Sequence, residues 1–454
     1  MALRVLKFLM KKNQRIIIVG GGLAGALQAC LLGQAGFEVV VYERLADPRL
    51  TGALGGRSIN LAISDRAIYG LKLAGLDQIV LNDAIAMRGR AIHSPTGQLS
   101  YQPYSKNPND AINSVSRGGL NITMFDAADK LPNVTHHFDQ RCVDVDLDKP
   151  AVKLLNTKTN EITWVEGDIV IGADGAYSAV RDNMRFVERF DYDQLYLAHG
   201  FKELCIPPTK AGEFAMEPNA LHIWPRGGYM MIALPNKDRT FTCTLFWPFE
   251  GENSFETIKK EADIQPFFQE HFPDAAALMP TLVEDYQANP TSSLMTIRCG
   301  PWYYKSKVVL IGDSAHAIVP FYGQGINAGF EDCAALMECI KVHSGNWEQI
   351  FSSYYKRRKE NADAIRDLAL SNFMEMRDRA ASPVFRMKKK GERILHKLFP
   401  QWYLPLYNMI SFSRIPYAEA VKKAKAQDRV IILVALVVVI IFIVLLAIIW
   451  GLVK

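Results

Sequence analysis

Cysteine is sparse and scattered in this 454-residue chain: Cys30, Cys142, Cys205, Cys243, Cys299, Cys333 and Cys339 are odd in number and contain no C-x-x-C pair. That argues against a disulfide framework or a zinc ribbon and leaves reduced thiols that serve as packing residues. The nine histidines form no H-E-x-x-H or comparable ligand spacing, so no metal centre is expected. Internal repeats are missing too, and with them the case for a solenoid or propeller. Nor does a basic stripe interleaved with aromatics run along the body, as a nucleic-acid groove would need. At 49% apolar and 22% charged, the chain is too hydrophobic for a disordered protein and long enough for two or three packed units.

Charge is present but unevenly placed. Residues 377–429 carry 13 Lys/Arg against 4 Asp/Glu, which with Lys454 leaves residues 1–376 at −5 in a chain of +5. A basic root ahead of an apolar run points to a membrane. That run is 430–453, 24 residues without a charge, and as a helix it spans about 36 Å against a hydrocarbon core of about 30 Å. Lys422, Lys423, Lys425 and Arg429 place the body on the cytoplasmic face, with Trp450 at the far interface. Residues 1–14 read as an extension, because Lys7, Lys11 and Lys12 interrupt any apolar core a signal peptide would need.

Between these ends strand and helix alternate. An apolar run at 16–19 closed by Gly20, a helical stretch at 23–34 and a second apolar run at 39–42 make a βαβ start. Strand-like runs at 168–171 and 308–311 each stop at a Gly/Asp pair, whereas 185–298 holds short β-rich runs at 229–234 and 240–246 broken by Pro and Gly. A long helix is expected from 347 to about 381, followed by shorter helices to 425.

The chemistry begins at Gly20, Gly22 and Gly25, a G-x-G-x-x-G between strand and helix. Glycine there permits the tight turn, the approach of a pyrophosphate and close helix–strand packing, and the helix N-terminus favours the anion. Glu43 follows 21 residues after Gly22, where a carboxylate can accept from an adenosine ribose and disfavours a 2′-phosphate, so FAD or NAD is expected. Two later turns choose between them. Asp174 and Gly175 stand in IVIGADGAYSAVR; Gly312 and Asp313 stand in VVLIGDSAHAIVPFYGQGINAGFED. Asp313 suits ribityl hydroxyls, and Gly323, Gly325, Ile326 and Asn327 bring backbone and a helix N-terminus to an isoalloxazine ring.

In this order and spacing the three motifs resemble the class A flavoprotein aromatic hydroxylases of the para-hydroxybenzoate hydroxylase fold. The resemblance narrows to the kynurenine 3-monooxygenase family through GRSINLAIS from Gly56, MRGRAIHS from Met87, SVSR from Ser114, NFMEMR from Asn372 and PLYNMISFSRIPY from Pro405. With the strand–helix pattern and the apolar tail it gives an expected α/β fold: a discontinuous Rossmann-like FAD-binding domain (15–75, 110–185, 298–375), an inserted substrate-binding sheet domain (76–109, 186–297), a C-terminal helical region (376–429) and a transmembrane helix (430–453). It implies FAD contacts at Arg57 and Arg117, and a substrate pocket at Arg90, Tyr104, Asn372 and Tyr407 with Glu375 nearby. Arg88 shares the MRGR motif and, as an alternate residue of a strand, would share a face with Arg90. Leu368, Asn372 and Glu375 fall on one helical face.

The implied reaction is NADPH- and O2-dependent hydroxylation of L-kynurenine through a flavin C4a-hydroperoxide, with no side chain as catalytic acid and His316 in a structural role. Another membrane-bound FAD monooxygenase or reductase, or a redox-inactive flavin-binding membrane protein, stands as the alternative. The implied site is the mitochondrial outer membrane in a eukaryote or the inner membrane in a bacterium.

Overall fold

In the computed structural model, which describes residues 14–51, 60–375, 387, 391–392, 394–396 and 398–453, strand Arg15–Val19 lies inside a six-stranded sheet. Its neighbours are Ile169–Gly172 and Glu38–Tyr42, both parallel, with Ile16 opposite Ile169 on one side and Val39 on the other. Beyond them lie Val134–His137 at one edge and Val308–Leu310 then Tyr303–Tyr304 at the other. Ile16, Ile17 and Ile18 are fully buried, which is why this strand reads as a continuous apolar run instead of an alternating one: helices and a three-stranded antiparallel sheet (Gln140–Asp146, Ala151–Asn156, Ile162–Glu166), whose Val145, Val152 and Leu154 share its core, cover it. Among those helices are Leu23–Ala35 and Gly325–His343, which also pack on each other.

A second, seven-stranded sheet is mostly antiparallel, in the order Ser292–Gly300, Asp191–Ile206, Phe241–Pro248, Met230–Pro235, Ala220–Pro225, Gly89–His93, Leu99–Pro103. Its central strands bury both faces, and alternation sorts the side chains. Trp224, Met231, Cys243, Leu245 and Trp247 join a core with helices Glu261–His271 and Leu282–Ala288. Ile223, Met230 and Phe246 face the other way, toward Phe321 and the long helix Trp347–Met374. The expected boundary between 297 and 298 cuts through Ser292–Gly300, whose pairing with Asp191–Ile206 runs unbroken from Thr296 to Gly300. A small sheet of Asn60–Ile63, Ile112–Ser116 and Ile85–Met87 bridges the two layers, and no periodicity in the sequence announces it.

The tail departs from expectation. Helix Tyr417–Val453 is one continuous element of 37 residues, so the basic root and the apolar run share a helix instead of meeting at a boundary near 430. Lysine and arginine are good helix formers, and a change of polarity does not end a helix. Its first turn is body core, with Tyr417 and Ala420 fully buried, whereas 430–445 is exposed apart from half-buried Ile431. Among the described residues it is the helix long and apolar enough to cross a membrane.

Candidate active site

The glycine motif shows three different steric demands. Gly20 has φ +99°, and a Cβ there would lie 2.5 Å from the Ala173 carbonyl oxygen; at Gly25 it would lie 2.0 Å from the Gly20 carbonyl oxygen. Both demand glycine for packing. At Gly22 a Cβ would meet nothing within 4 Å, so the space above the helix N-terminus is open on the side where a phosphate would sit. Gly22 caps helix Leu23–Ala35 without any side-chain bond, leaving the first-turn N–H groups to an anion. Glu43 closes the turn: its carboxylate accepts from the Gly21 N–H at 2.7 Å and the Leu45 N–H at 2.9 Å, with lone pairs to spare for a ribose.

One cavity of about 340 Å³ runs from Gly22 to the other candidate residues. Its glycine-rich end is lined by Gly22, Arg117, Gly175, Gly312, Asp313, Gly323, Gly325 and Ile326. Asp313 is exposed to this cavity and makes no hydrogen bond among the described residues; burial under the surrounding protein raises its carboxyl pKa, while His316 and Arg117 oppose the rise. Asp174 is placed differently. Its Oδ2 accepts from the N–H groups of Ala179 and Val180, its Oδ1 is unpartnered, and its neighbours Ala173 and Gly175 reach the cavity instead. The Asn327 amide is saturated: Oδ1 accepts from the Ser64 N–H and hydroxyl, and Nδ2 donates to the Ala62 and Gly323 carbonyls, all within 3.0 Å. Asn327 therefore offers a ligand its backbone N–H and clamps the loop with its side chain. Arg57 lies outside the described residues.

The far end of the cavity is lined by Met87, Arg90, Leu221, Met230, Leu234, Thr244, Phe246, Phe321, Tyr322 and Tyr407. Arg90 projects from strand Gly89–His93 with its guanidinium 4.8 Å from the Tyr407 ring centroid and 5.5 Å from that of Tyr104. The two rings stack at 5.2 Å, and Tyr407 stacks on Tyr322 at 5.7 Å. Arg90 Nε and the Tyr104 hydroxyl are buried without a hydrogen-bond partner. Burial and the neighbouring Tyr407 hold the Tyr104 hydroxyl well above the usual phenol range, so it is a donor. An unpaired buried polar group costs about 1–3 kcal/mol, so these two are free to bond a further group; Arg90 lines the cavity and Tyr104 stands behind Arg90 and Tyr407.

Arg88 does not share that face. It precedes the strand, is exposed, and donates to the Pro108 carbonyl. Asn372 and Glu375 stand one layer behind the wall: Asn372 Nδ2 donates to the Phe321 carbonyl at 2.7 Å, and the charge of Glu375 is felt at Tyr322. Phe321 and Tyr322 lie in the quoted GD-motif stretch but were not singled out from sequence as pocket residues.

Sequence reading also missed a buried charge cluster beneath the cavity floor. Asp332 accepts from the Gly312 N–H at 3.0 Å and bonds His316 Nε2 at 2.5 Å; Arg358 bridges Asp332 and Glu331; Arg66 pairs with Glu331 and donates to the carbonyls of Ile410 and Ile415. His316 is thus buried against Trp302 and does not line the cavity. Glu331 and Asp332 sit in the GFED of the motif, but Arg66 and Arg358 carry no local signal.

The FAD-binding-domain family model matches residues 13–369. The chain is 44% identical over 431 residues to a kynurenine 3-monooxygenase of Dictyostelium discoideum, covering 92% of each chain, and 46% identical over 421 residues to one of Flavobacterium psychrophilum, covering 93% of each. Among solved structures, 2-methyl-3-hydroxypyridine-5-carboxylic acid oxygenase shares the fold with a TM-score of 0.67 at 20% identity, over 82% of this chain and 95% of that one. A glycine cradle, an open carboxylate and an arginine corner around one cavity thus accompany near-full-length similarity to named relatives, and the chain belongs to the kynurenine 3-monooxygenase family of FAD-dependent monooxygenases.

Proposed function

We propose that this chain converts L-kynurenine, NADPH, H+ and O2 to 3-hydroxy-L-kynurenine, NADP+ and water. The observation that carries the reading is the single cavity with Gly22 and Asp313 at one end and Arg90 and Tyr407 at the other. The first end fits FAD: Gly20, Gly22 and Gly25 cradle the pyrophosphate, Glu43 faces the ribose, and Asp313 takes ribityl hydroxyls. Arg117, the backbone of Gly325, Ile326 and Asn327, and the Asp174 turn surround the ring system, with Arg57 assigned by family resemblance. The redox chemistry, hydride acceptance from NADPH and activation of O2, is supplied by bound FAD.

The protein's own part is binding, orientation and exclusion of water. Arg90 offers a planar fork to the substrate carboxylate and Tyr104 adds a donor on a rigid ring. Tyr407 packs against both. Asn372 fixes the Phe321 carbonyl, and with it the aromatic wall against which the substrate ring lies; Glu375 stands behind Tyr322. The apolar lining of Leu221, Met230, Leu234 and Phe246 keeps water from the reacting centre.

The helix Tyr417–Val453 anchors the enzyme in a membrane with the body on the cytoplasmic side, on the strength of its exposed apolar run and the lysines before it. Incubation with NADPH, L-kynurenine and isotopically heavy O2 tests the activity. A hydroxylated product carrying one heavy oxygen atom supports it; NADPH oxidation with unlabelled or unchanged kynurenine refutes it.

A further inference from the structure

Where the tail helix leaves the body, the body surface beside it is apolar. Gln427 is the last buried residue of that helix among those described, and its Nε2 donates to the Trp402 carbonyl at 2.8 Å. Val430, where the apolar run begins, is three residues on, about 4.5 Å along the axis. The headgroup layer on each side of a bilayer is about 6 Å thick. A backbone bonded to Gln427 therefore lies inside that layer when Val430 enters the hydrocarbon.

The residues presented there suit it. Leu398, Phe399 and Trp402 are 63%, 54% and 46% exposed. The segment is held as a turn by bonds from the N–H groups of Trp402 and Tyr403 to the Phe399 carbonyl, and it is two-sided: Tyr403 is buried while its apolar neighbours face out. Tryptophan, apolar with one polar edge, is enriched at membrane interfaces. Exposed Lys423, Lys425 and Arg429 stand on the adjoining turns of the helix, the charge that anionic headgroups attract, while Lys422 pairs with Glu360.

We propose that Leu398, Phe399 and Trp402 form a second membrane contact, dipping into the interfacial layer of the bilayer that the tail helix crosses. This rests on the reading of 430–453 as a membrane span. The contact fixes how the body sits on the lipid surface, which a single helix does not. It also ties the lipid surface to an outer cleft of about 390 Å³, because Pro400 and Leu404 of the same segment wall that cleft together with Phe412, whose ring packs against Tyr104 and Tyr407.

The test uses the full chain in bilayer discs of phosphatidylcholine and phosphatidylserine, with and without bromine on the acyl chains, and reads tryptophan fluorescence. Wild type, Trp450→Phe and the double variant with Trp402→Phe are compared. The difference between wild type and Trp450→Phe reports the span alone, so its failure is read separately. In the Trp450→Phe protein, bromine-dependent quenching should persist and should be lost when Trp402→Phe is added. Equal quenching in the single and double variants overturns the proposal, and so does its absence from both, the result expected if a second copy of the chain covers the patch instead of lipid. Phe399→Glu, which lifts the turn off the bilayer, should reduce the Trp402 component; an unchanged component also contradicts the contact.

Discussion

The hydroxyl of Tyr417, the first residue of the tail helix, donates to Oε1 of Gln324 at 2.8 Å, and Gln324 is the N-cap of the helix whose first turn lines the cavity. The Arg66 guanidinium lies 3.9 Å from the Tyr417 ring centroid and continues through Glu331, Arg358 and Asp332 to the Gly312 N–H of the GD motif. The tail helix is therefore rooted in the floor of the cavity. Losing Tyr417 leaves the buried Gln324 amide oxygen without that donor, at a cost of about 1–3 kcal/mol.

Truncation should accordingly act in two steps. Deleting 430–454 is expected to release the protein from membranes while FAD stays bound, because the Tyr417 contacts remain. Deleting 417–454 should in addition lower FAD affinity and activity. Sedimentation and flavin content of the two forms check this; equal FAD loss in both contradicts the role given to Tyr417.

Arg90→Met should raise the KM for L-kynurenine far more than it changes FAD content. The loss of a buried charge partner, about 3–5 kcal/mol, corresponds to about 10² to 10³ or more in affinity. Arg90→Lys should recover little, since a point charge does not reproduce the fork. Arg88→Met should leave kinetics near wild type, because that side chain is exposed and bonded to the Pro108 carbonyl. Steady-state kinetics on the three variants decide it, and a crippled Arg88→Met with a normal Arg90→Met reverses the assignment.

Two glycine variants separate packing from binding. Gly25→Ala places a methyl 2.0 Å from the Gly20 carbonyl oxygen and should destabilise the apoprotein. Gly22→Ala meets nothing in the protein, so the apoprotein should keep its Tm while FAD affinity falls. Thermal unfolding and flavin titration of each variant check the contrast.

A pH dependence arises away from the cavity. His222 Nε2 donates to the Glu217 carbonyl, so its Nδ1 accepts from His93, whose other nitrogen faces Asp274. Burial first, and His93 beside it, push His222 down to about 4 from an ordinary value of 6.5. The unfolded chain then takes up the proton first as pH falls, so stability is unaffected above pH 6.5 and is lost between 6.5 and 4. The loss is on the order of 3 kcal/mol at about 1.4 kcal/mol per pKa unit. His222→Gln, which keeps a donor and an acceptor, should flatten the Tm profile across that window; an unchanged slope removes His222 as its cause.

What the sequence disclosed followed the range of the forces involved. The strand expected at 16–19 is Arg15–Val19 and the helix expected at 23–34 is Leu23–Ala35, because burial on both faces and a glycine-bounded turn are local signals. The choice of Arg90 comes from the resemblance; that Arg88 does not share its face was not legible from alternation, since Arg88 stands between the strands Ile85–Met87 and Gly89–His93. The depth of Asn372 depends on a carbonyl 51 residues away, and the charge cluster draws on residues 66, 331, 332, 358, 410 and 415. The tail was divided at a change of polarity, but the backbone continues through it because nothing there breaks a helix.

On the proposed function, kynurenine seated at Arg90 should govern reduction of a flavin seated at Gly22 and Asp313. The decisive measurement is made without oxygen: NADPH is mixed with the FAD-loaded enzyme in the presence and absence of L-kynurenine, and the bleaching of the flavin absorbance is followed in time. Bleaching should be slow alone, strongly accelerated by L-kynurenine, and no longer accelerated in Arg90→Met. A flavin that bleaches at the same rate with and without L-kynurenine, or does not bleach at all, contradicts that function.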